Sequence, residues 1–329
     1  MNAIIRCERG EVMKKTKDNF SRKKGLKESW KHHKLLFLLV VPVILYYIFF
    51  HYLPFYGLQI AFKRYSPFIG IWESKWVGLD NFKYLIVGPG KIMFVRAFFN
   101  TFIINFYQLI FAFPLPIILA LMFNEMKSAG YRKVAQTALY LPHFISELVI
   151  SGMVINFLSP VTGVVNNILL NFNLISDPIY FMIKPEYYRL IYVFSEVWKN
   201  VGFDSIIYFA ALLGISPSLY EAAKVDGANR FKQIYHITLP GISSTVVIMI
   251  ILRIGKLLKI GFEKTILLYT PTTYSVSDVL GSYLYRIGLQ GASQLDMATA
   301  AGLFEALVGF TLVVIANNLA KKYSETSLW

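Results

Sequence analysis

Ser216-Pro217-Ser218-Leu219-Tyr220-Glu221-Ala222-Ala223-Lys224-Val225-Asp226-Gly227-Ala228-Asn229-Arg230, continuing through Phe231, Ile234 and Ile237 to Leu239-Pro240, is a polar interval between two long apolar runs. Ser216 is a residue type that caps helix N-termini, and Pro217 suits the first helical position, where no N–H is needed. The helix is expected to reach Asp226 and stop at Gly227, which takes the left-handed conformation that ends helices. Asn229 is placed to cap a second short helix, and Pro240 opens the next apolar run. The interval reads as helix, sharp glycine turn and helix, exposed outside the apolar phase and suited to docking on a soluble partner.

Outward from this stretch, the chain is unlike a soluble protein. Of its 329 residues 56% are hydrophobic and only 16% charged, whereas charged residues make up about a quarter of a globular chain. Mean hydropathy is +0.51. Apolar runs of bilayer-crossing length recur between clusters of Lys and Arg, so the fold class is an all-α membrane protein. A secreted disulfide scaffold and a disordered chain are excluded. The single cysteine, Cys7, can neither close an internal disulfide nor build a zinc site.

The formal charge of +14 is concentrated at one end. Residues 1–34 carry eleven Lys and Arg against four Asp and Glu, a net +7, immediately before the run Leu35 to Phe50 that continues through His51 to Ala61. Such a tail is retained on the cytoplasmic side and attracted to anionic membrane lipid; no nucleic-acid partner is implied. No small-residue cleavage site follows, so the run reads as a retained span rather than a cleaved leader. With a window of about 20 residues the spans fall near 35–57, 97–123, 137–158, 189–213, 240–260 and 297–319, about six in all, with both termini cytoplasmic. Lys127, Arg132 and Lys133, then Lys224, Arg230 and Lys232, then Lys321 and Lys322 fit that orientation. Lys63, Arg64, Lys75, Lys83 and Lys91 in the outer loop near 58–96 run against it. Val164 to Asn173 reads as a short amphipathic helix between spans 3 and 4.

Several spans carry polar residues that lipid does not tolerate: Asn100, Asn105 and Gln108 in span 2; His143 and Glu147 in span 3; Glu196, Lys199, Asn200 and Asp204 in span 4; Arg253 and Lys256 in span 5. A charge at mid-helix costs about 2.5 to 3.5 kcal/mol on insertion scales, so these groups should face a protein interior or a watery path. Local pairing of Glu196 with Lys199 and of His143 with Glu147 is one outcome. A polar translocation route using Asn105, Gln108, Glu147, Glu196, Lys199, Arg253 and Lys256 is the other. Lys199, Arg253 and Lys256 together suit an acidic saccharide, for instance a uronate, unless Glu147, Glu196, Asp204 and Glu263 neutralise them.

The loop also fits, position for position, Glu-Ala-Ala, three residues, Gly, nine residues, Ile, one residue, Leu-Pro. In this it resembles the EAA loop of membrane subunits of binding-protein-dependent ABC importers. Phe50-His51-Tyr52-Leu53-Pro54-Phe55-Tyr56-Gly57, Trp76-Val77-Gly78-Leu79-Asp80-Asn81-Phe82, Leu141-Pro142-His143-Phe144-Ile145-Ser146 and Tyr283-Leu284-Tyr285-Arg286 extend the resemblance to sugar permeases of the maltose type, and especially to LplB-like polysaccharide permeases. The resemblance implies the type I ABC importer permease fold, with residues 1–34 as a basic tail and 35–329 as the transmembrane permease domain, its coupling loop at 214–239. It further implies a bacterial cytoplasmic (inner) membrane location, a second homologous permease, two ATPase subunits below and an extracytoplasmic solute-binding protein above. Glu221, Ala222, Ala223, Asp226 and Gly227 would form the ATPase-coupling element. No Gly-x4-Gly-Lys-Ser/Thr loop occurs, so this chain should hold no cofactor, ATP and Mg²⁺ belonging to the partner ATPases.

Two other classes compete. An ion-coupled secondary transporter would use Glu147, Glu196 and Asp204 as ion sites, yet no paired halves are visible. A membrane-embedded enzyme should show His-Glu-x-x-His or Gly-x-Ser-x-Gly, and neither occurs. Tyr107, Tyr192, Trp198, Phe203 and Tyr208 lie near the polar positions and have faces on which sugar rings stack.

Overall fold

A computed structural model of the chain describes residues 34–290, 294–323 and 327; Cys7 and the basic tail, Lys34 apart, lie outside the described residues. The chain divides into two compact units at Gln59 and Ile60. Three helices are long and apolar enough to cross a bilayer: Phe37–Phe62, Lys91–Glu125 and Leu295–Lys322, here spans 1, 2 and 6. Three bent pairs complete the expected six. They are Ala129–Phe144 with Glu147–Phe157 (span 3, bent by 99°), Pro185–Leu213 with Pro217–Val225 (span 4 and the first loop helix, 69°), and Arg230–Gly241 with Ser243–Gly255 (span 5, 61°).

The expectation of one continuous span over 137–158 is therefore corrected. Pro142 has no N–H to continue the helix, and Ser146, in extended conformation, caps a new one by accepting the Val149 N–H at 3.4 Å. Prolines leave a second signature. A wide turn at Ile48–Tyr52 precedes Pro54, another at Ile234–Thr238 precedes Pro240, and ahead of Pro114 the Phe113 N–H reaches back five residues to the Gln108 carbonyl at 3.2 Å. In each case the ring excludes the normal bond to the carbonyl four residues earlier, and the preceding turn widens.

In the second unit, span 2 buries Phe94, Ala97, Thr101, Ile104, Asn105 and Gln108, the three-and-four spacing of one helix face. Phe94 and Ala97 pack with Leu280, Tyr283, Ala300 and Ala301, while Ile104 packs with Tyr188, Tyr192 and Val193 of span 4. Close approaches fix two crossings. A Cβ on Gly202 of span 4 would stand 2.0 Å from the Leu139 carbonyl oxygen of span 3, and one on Gly255 of span 5 would stand 2.4 Å from Cγ2 of Val313 in span 6. Small residues let helices approach this closely in membranes.

Outside the spans, a short antiparallel hairpin, β1 (Lys63–Arg64) and β2 (Lys75–Trp76), joins spans 1 and 2. Asn81 Nδ2 donates to the carbonyls of Ala61 and Lys63 at 2.9 and 3.0 Å, and Lys63 Nζ donates to the Ile71 carbonyl at 2.6 Å. The expected amphipathic helix is Val164–Asn171. Beyond span 5 a short helix, Phe262–Leu268, buries Lys264, Thr265 and Leu268. Asp278 and Arg286 form a bidentate ion pair at 2.6 and 3.0 Å, and Asn100 Nδ2 donates to the Ser275 and Asp278 carbonyls.

Candidate functional site

The first candidate is the loop. Its first helix, Pro217–Val225, ends with Asp226 as cap and Gly227 at φ +74°. The Gly227 N–H donates to the Lys224 carbonyl at 3.1 Å and the Ala228 N–H to the Ala223 carbonyl at 2.8 Å, the paired closing bonds of a Schellman turn. Asn229 Oδ1 accepts the Lys232 N–H at 2.9 Å and caps the second helix. Ser216 takes the extended cap conformation, but its hydroxyl pairs with Ser218 Oγ at 2.7 Å and satisfies no backbone N–H. Tyr220 OH bonds Thr238 Oγ1 at 3.1 Å, and Gln233 Nε2 donates to the Ala228 carbonyl at 2.8 Å. An ion pair of Arg230 with Glu125 at 3.1 Å ties the element to the end of span 2. Glu221, Ala222, Asp226 and Gly227 are exposed and Ala223 half-buried. Val225 at 89%, Phe231 at 83% and Tyr235 at 70% exposure add an apolar rim. The element is preformed, with its apolar and acidic side chains outward.

The second candidate is a charged layer inside the bundle. Lys199 of span 4 pairs with Glu147 Oε1 of span 3. Lys264 Nζ, on the short Phe262–Leu268 helix, pairs with Glu196 Oε2 of span 4 at 2.8 Å and lies 4.9 Å from the centre of the Tyr192 ring. Asn200 Nδ2 donates to Glu196 Oε1 at 2.7 Å, Asn200 Oδ1 meets His143 Nδ1 at 2.8 Å, and the His143 ring stacks on Phe203 at 3.8 Å. The two ion pairs join span 3, span 4 and the Phe262–Leu268 helix, while Glu147 Oε2 is buried without a hydrogen-bond partner. The local pairings Glu196–Lys199 and His143–Glu147 do not form. On span 4 the Glu196 carboxylate turns to Lys264, and the break at Ile145–Ser146 destroys the helical spacing between His143 and Glu147. A cleft of about 360 Å³ lies beside the layer, lined by Glu147, Tyr192, Glu196, Phe262, Glu263 and Lys264.

The remaining sequence-predicted residues scatter. Asn105 is buried and donates to the Thr101 carbonyl of its own helix at 3.1 Å; Gln108 is buried one turn further on. Arg253 closes the last turn of span 5 and Lys256 is its C-cap. The helix that carries Arg253 starts at Ser243, beyond a 61° bend that follows Pro240 and Gly241. Lys199 does not join them, its charge being met by Glu147. Of the aromatics, Tyr192 and Phe203 are taken up by Lys264 and His143, Trp198 lines an apolar groove with Phe157 and Phe194, Tyr107 borders a cleft with Arg189, and Tyr208 is buried beside Asp204 and Arg253. Lys264, 2% exposed, was missed by the sequence reading; its signal is a lone lysine opening the apolar turn Thr265-Ile266-Leu267-Leu268.

Bent spans around a charged interior, with a preformed helical loop beyond them, define a membrane subunit of a transport system. Residues 85–325 match the family described as binding-protein-dependent transport system inner membrane component, and the chain belongs to that family. Protein LplB of Bacillus subtilis (strain 168) is 41% identical over 300 residues, 91% of this chain and 92% of that protein. The polygalacturonan/rhamnogalacturonan transport system permease protein YteP of the same organism is 39% identical over 90% of each chain. A chain in the crystal structure of a bacterial alginate ABC transporter, in complex with alginate pentasaccharide-bound periplasmic protein, superposes with a TM-score of 0.83 at 46% identity, over 92% of this chain and 99% of its own. The fold is the type I ABC importer permease fold, all-α and membrane-spanning.

Proposed function

We propose that this chain is one of two homologous permease subunits of an ATP-driven importer of oligo- or polysaccharides, acidic ones of the uronate type included. An extracytoplasmic binding protein delivers the substrate, and two ATPase subunits, which bind ATP and Mg²⁺, dock on the loop. Both termini face the cytoplasm of a bacterium. Glu221, Ala222, Ala223, Asp226 and Gly227 transmit ATPase closure to spans 4 and 5, between which the loop lies. The observation that carries this reading is the preformed Schellman turn at Gly227 with its outward apolar rim. A small, rigid, partly apolar element suits a groove in a soluble domain. The acidic saccharide draws support from relatives named for polygalacturonan and alginate. Glu147 and Glu196 are each committed to a lysine, which disfavours ion coupling through them. The test is reconstitution. The chain with its second permease and ATPases should hydrolyse ATP faster when sugar-loaded binding protein is added, and the chain alone should not hydrolyse ATP. ATP hydrolysis or substrate-driven proton flux by the isolated chain would overturn the proposal.

A further inference from the structure

The intramembrane cations fall into two groups. Lys199 and Lys264 each hold a glutamate. The side chains of Arg253 and Lys256 form no ion pair or hydrogen bond among the described residues. They line a cavity of about 190 Å³ with Asp204 and Tyr208 of span 4 and with Phe113 and Pro116 at the widened turn of span 2. At 1.5 Å per residue, Asp204 stands about 14 Å from the Leu213 end of its helix, Arg253 about 15 Å from Ser243, and Pro116 about 14 Å from Glu125. Those three ends border the loop, so the cavity lies about 14 to 15 Å inside them, a depth that for spans upright in a hydrocarbon core of about 30 Å is near its middle. Secondary transporters place substrate sites at this depth, where helices are interrupted.

Two cations face one carboxylate there. An excess positive charge at mid-membrane is costly, and a ligand carrying one carboxylate removes the excess. The volume equals about six waters at liquid density, on the scale of one sugar ring rather than a chain. Phe113 and Tyr208, edge to face at 6.4 Å, offer apolar surface to such a ring. We infer that this cavity is a station for one uronate unit of the passing saccharide. Arg253 and Lys256 take its carboxylate, and Asp204 accepts hydrogen bonds from the ring hydroxyls. Asp204 also offsets part of the cationic charge, which keeps the hold on each unit weak enough for onward movement. The inference rests on the proposed saccharide import and names its acidic site.

The test uses the complete transporter in proteoliposomes with its binding protein, offered oligogalacturonate, oligoalginate or a neutral maltooligosaccharide. For an acidic oligosaccharide that stimulates the wild type, Arg253→Gln and Lys256→Gln should each need about tenfold more for half-maximal ATPase stimulation, the cost of one charged hydrogen bond. Arg253→Lys, which preserves charge, should lose less than Arg253→Gln. Occupancy is read apart from binding-protein selectivity by placing a thiol on the cavity wall, Met249→Cys in a Cys7→Ser background. The acidic sugar should protect that thiol from a small maleimide, and maltooligosaccharide should not. Unchanged stimulation in both Gln variants, equal losses in Arg253→Lys and Arg253→Gln, or no protection overturns the station while leaving the importer intact. A wild-type transporter stimulated only by the neutral sugar also removes it. Failure of every saccharide to stimulate the wild type overturns the importer reading itself.

Discussion

Replacing Gly227 separates backbone conformation from contact. Its φ is +74°, and a Cβ built there meets no heavy atom within 4 Å. Any penalty within this chain is therefore conformational. An L-residue in the left-handed region costs about 1 to 2 kcal/mol, Asn less because it tolerates that region, and a β-branched residue most. The expected order of damage is Asn, then Ala, then Val, with Val at about 2 kcal/mol. At 1.4 kcal/mol per tenfold, Gly227→Val leaves the closed turn roughly 30-fold less favoured. The turn holds the Ala228 N–H to the Ala223 carbonyl at 2.8 Å, so its opening disorders the face that carries Glu221 and Ala222. The hydrophobic clusters of the spans include no residue from 216 to 230, so membrane yield and assembly should hold. The assay is sugar-stimulated ATPase in proteoliposomes beside co-purification of the ATPase subunits. Wild-type stimulation in Gly227→Val refutes the argument. Equal damage from Asn and Val refutes it differently, since it shows that the partner rejects any side chain there.

Lys264→Met should destabilise the charged layer by about 3 kcal/mol, because Glu196 loses its partner, and adding Glu196→Gln should restore much of the loss; thermal unfolding in detergent checks both. Gly202→Ala drives a Cβ into the Leu139 carbonyl, so span 3 must shift, and a cost of about 1 to 3 kcal/mol should appear as a lower Tm. Gly255→Ala meets only a Val313 methyl, and pairing it with Val313→Ala should recover wild-type Tm. Glu125→Gln removes an exposed ion pair with Arg230 and should change stability by less than about 1 kcal/mol, an effect that salt diminishes.

The loop was legible because its determinants are local: Pro217, Gly227 and Asn229 act within a few residues of themselves. The structure differs in the bond made by Ser216 and in the second helix, which runs on through Pro240 to Gly241 before the chain bends into Ser243–Gly255. Spans 2, 4 and 6 were legible by length and hydropathy, with ends displaced by a few residues. The break in span 3 was written in Pro142 and Ser146, but a window of bilayer length averages over both. The charged layer was not legible. Glu147 and Lys199 are 52 positions apart, Glu196 and Lys264 are 68 apart, and one sequence offers several lysines for each glutamate. Only packing chooses among them, and it turned Lys199 from a candidate sugar ligand into a neutralised strut.

Those pairings set an order of events during synthesis. Glu147 emerges first, Glu196 and Lys199 about fifty residues later, and Lys264 last, so a charge waits in span 3 until span 4 arrives, and another in span 4 until the chain has passed span 5. Each unpaired charge costs about 2.5 to 3.5 kcal/mol in lipid, comparable to the gain from several apolar residues of the same helix. Spans 3 and 4 are thus best released into the bilayer as a pair, already joined by Glu147 and Lys199. The second seal closes only after Lys264 has left the ribosome.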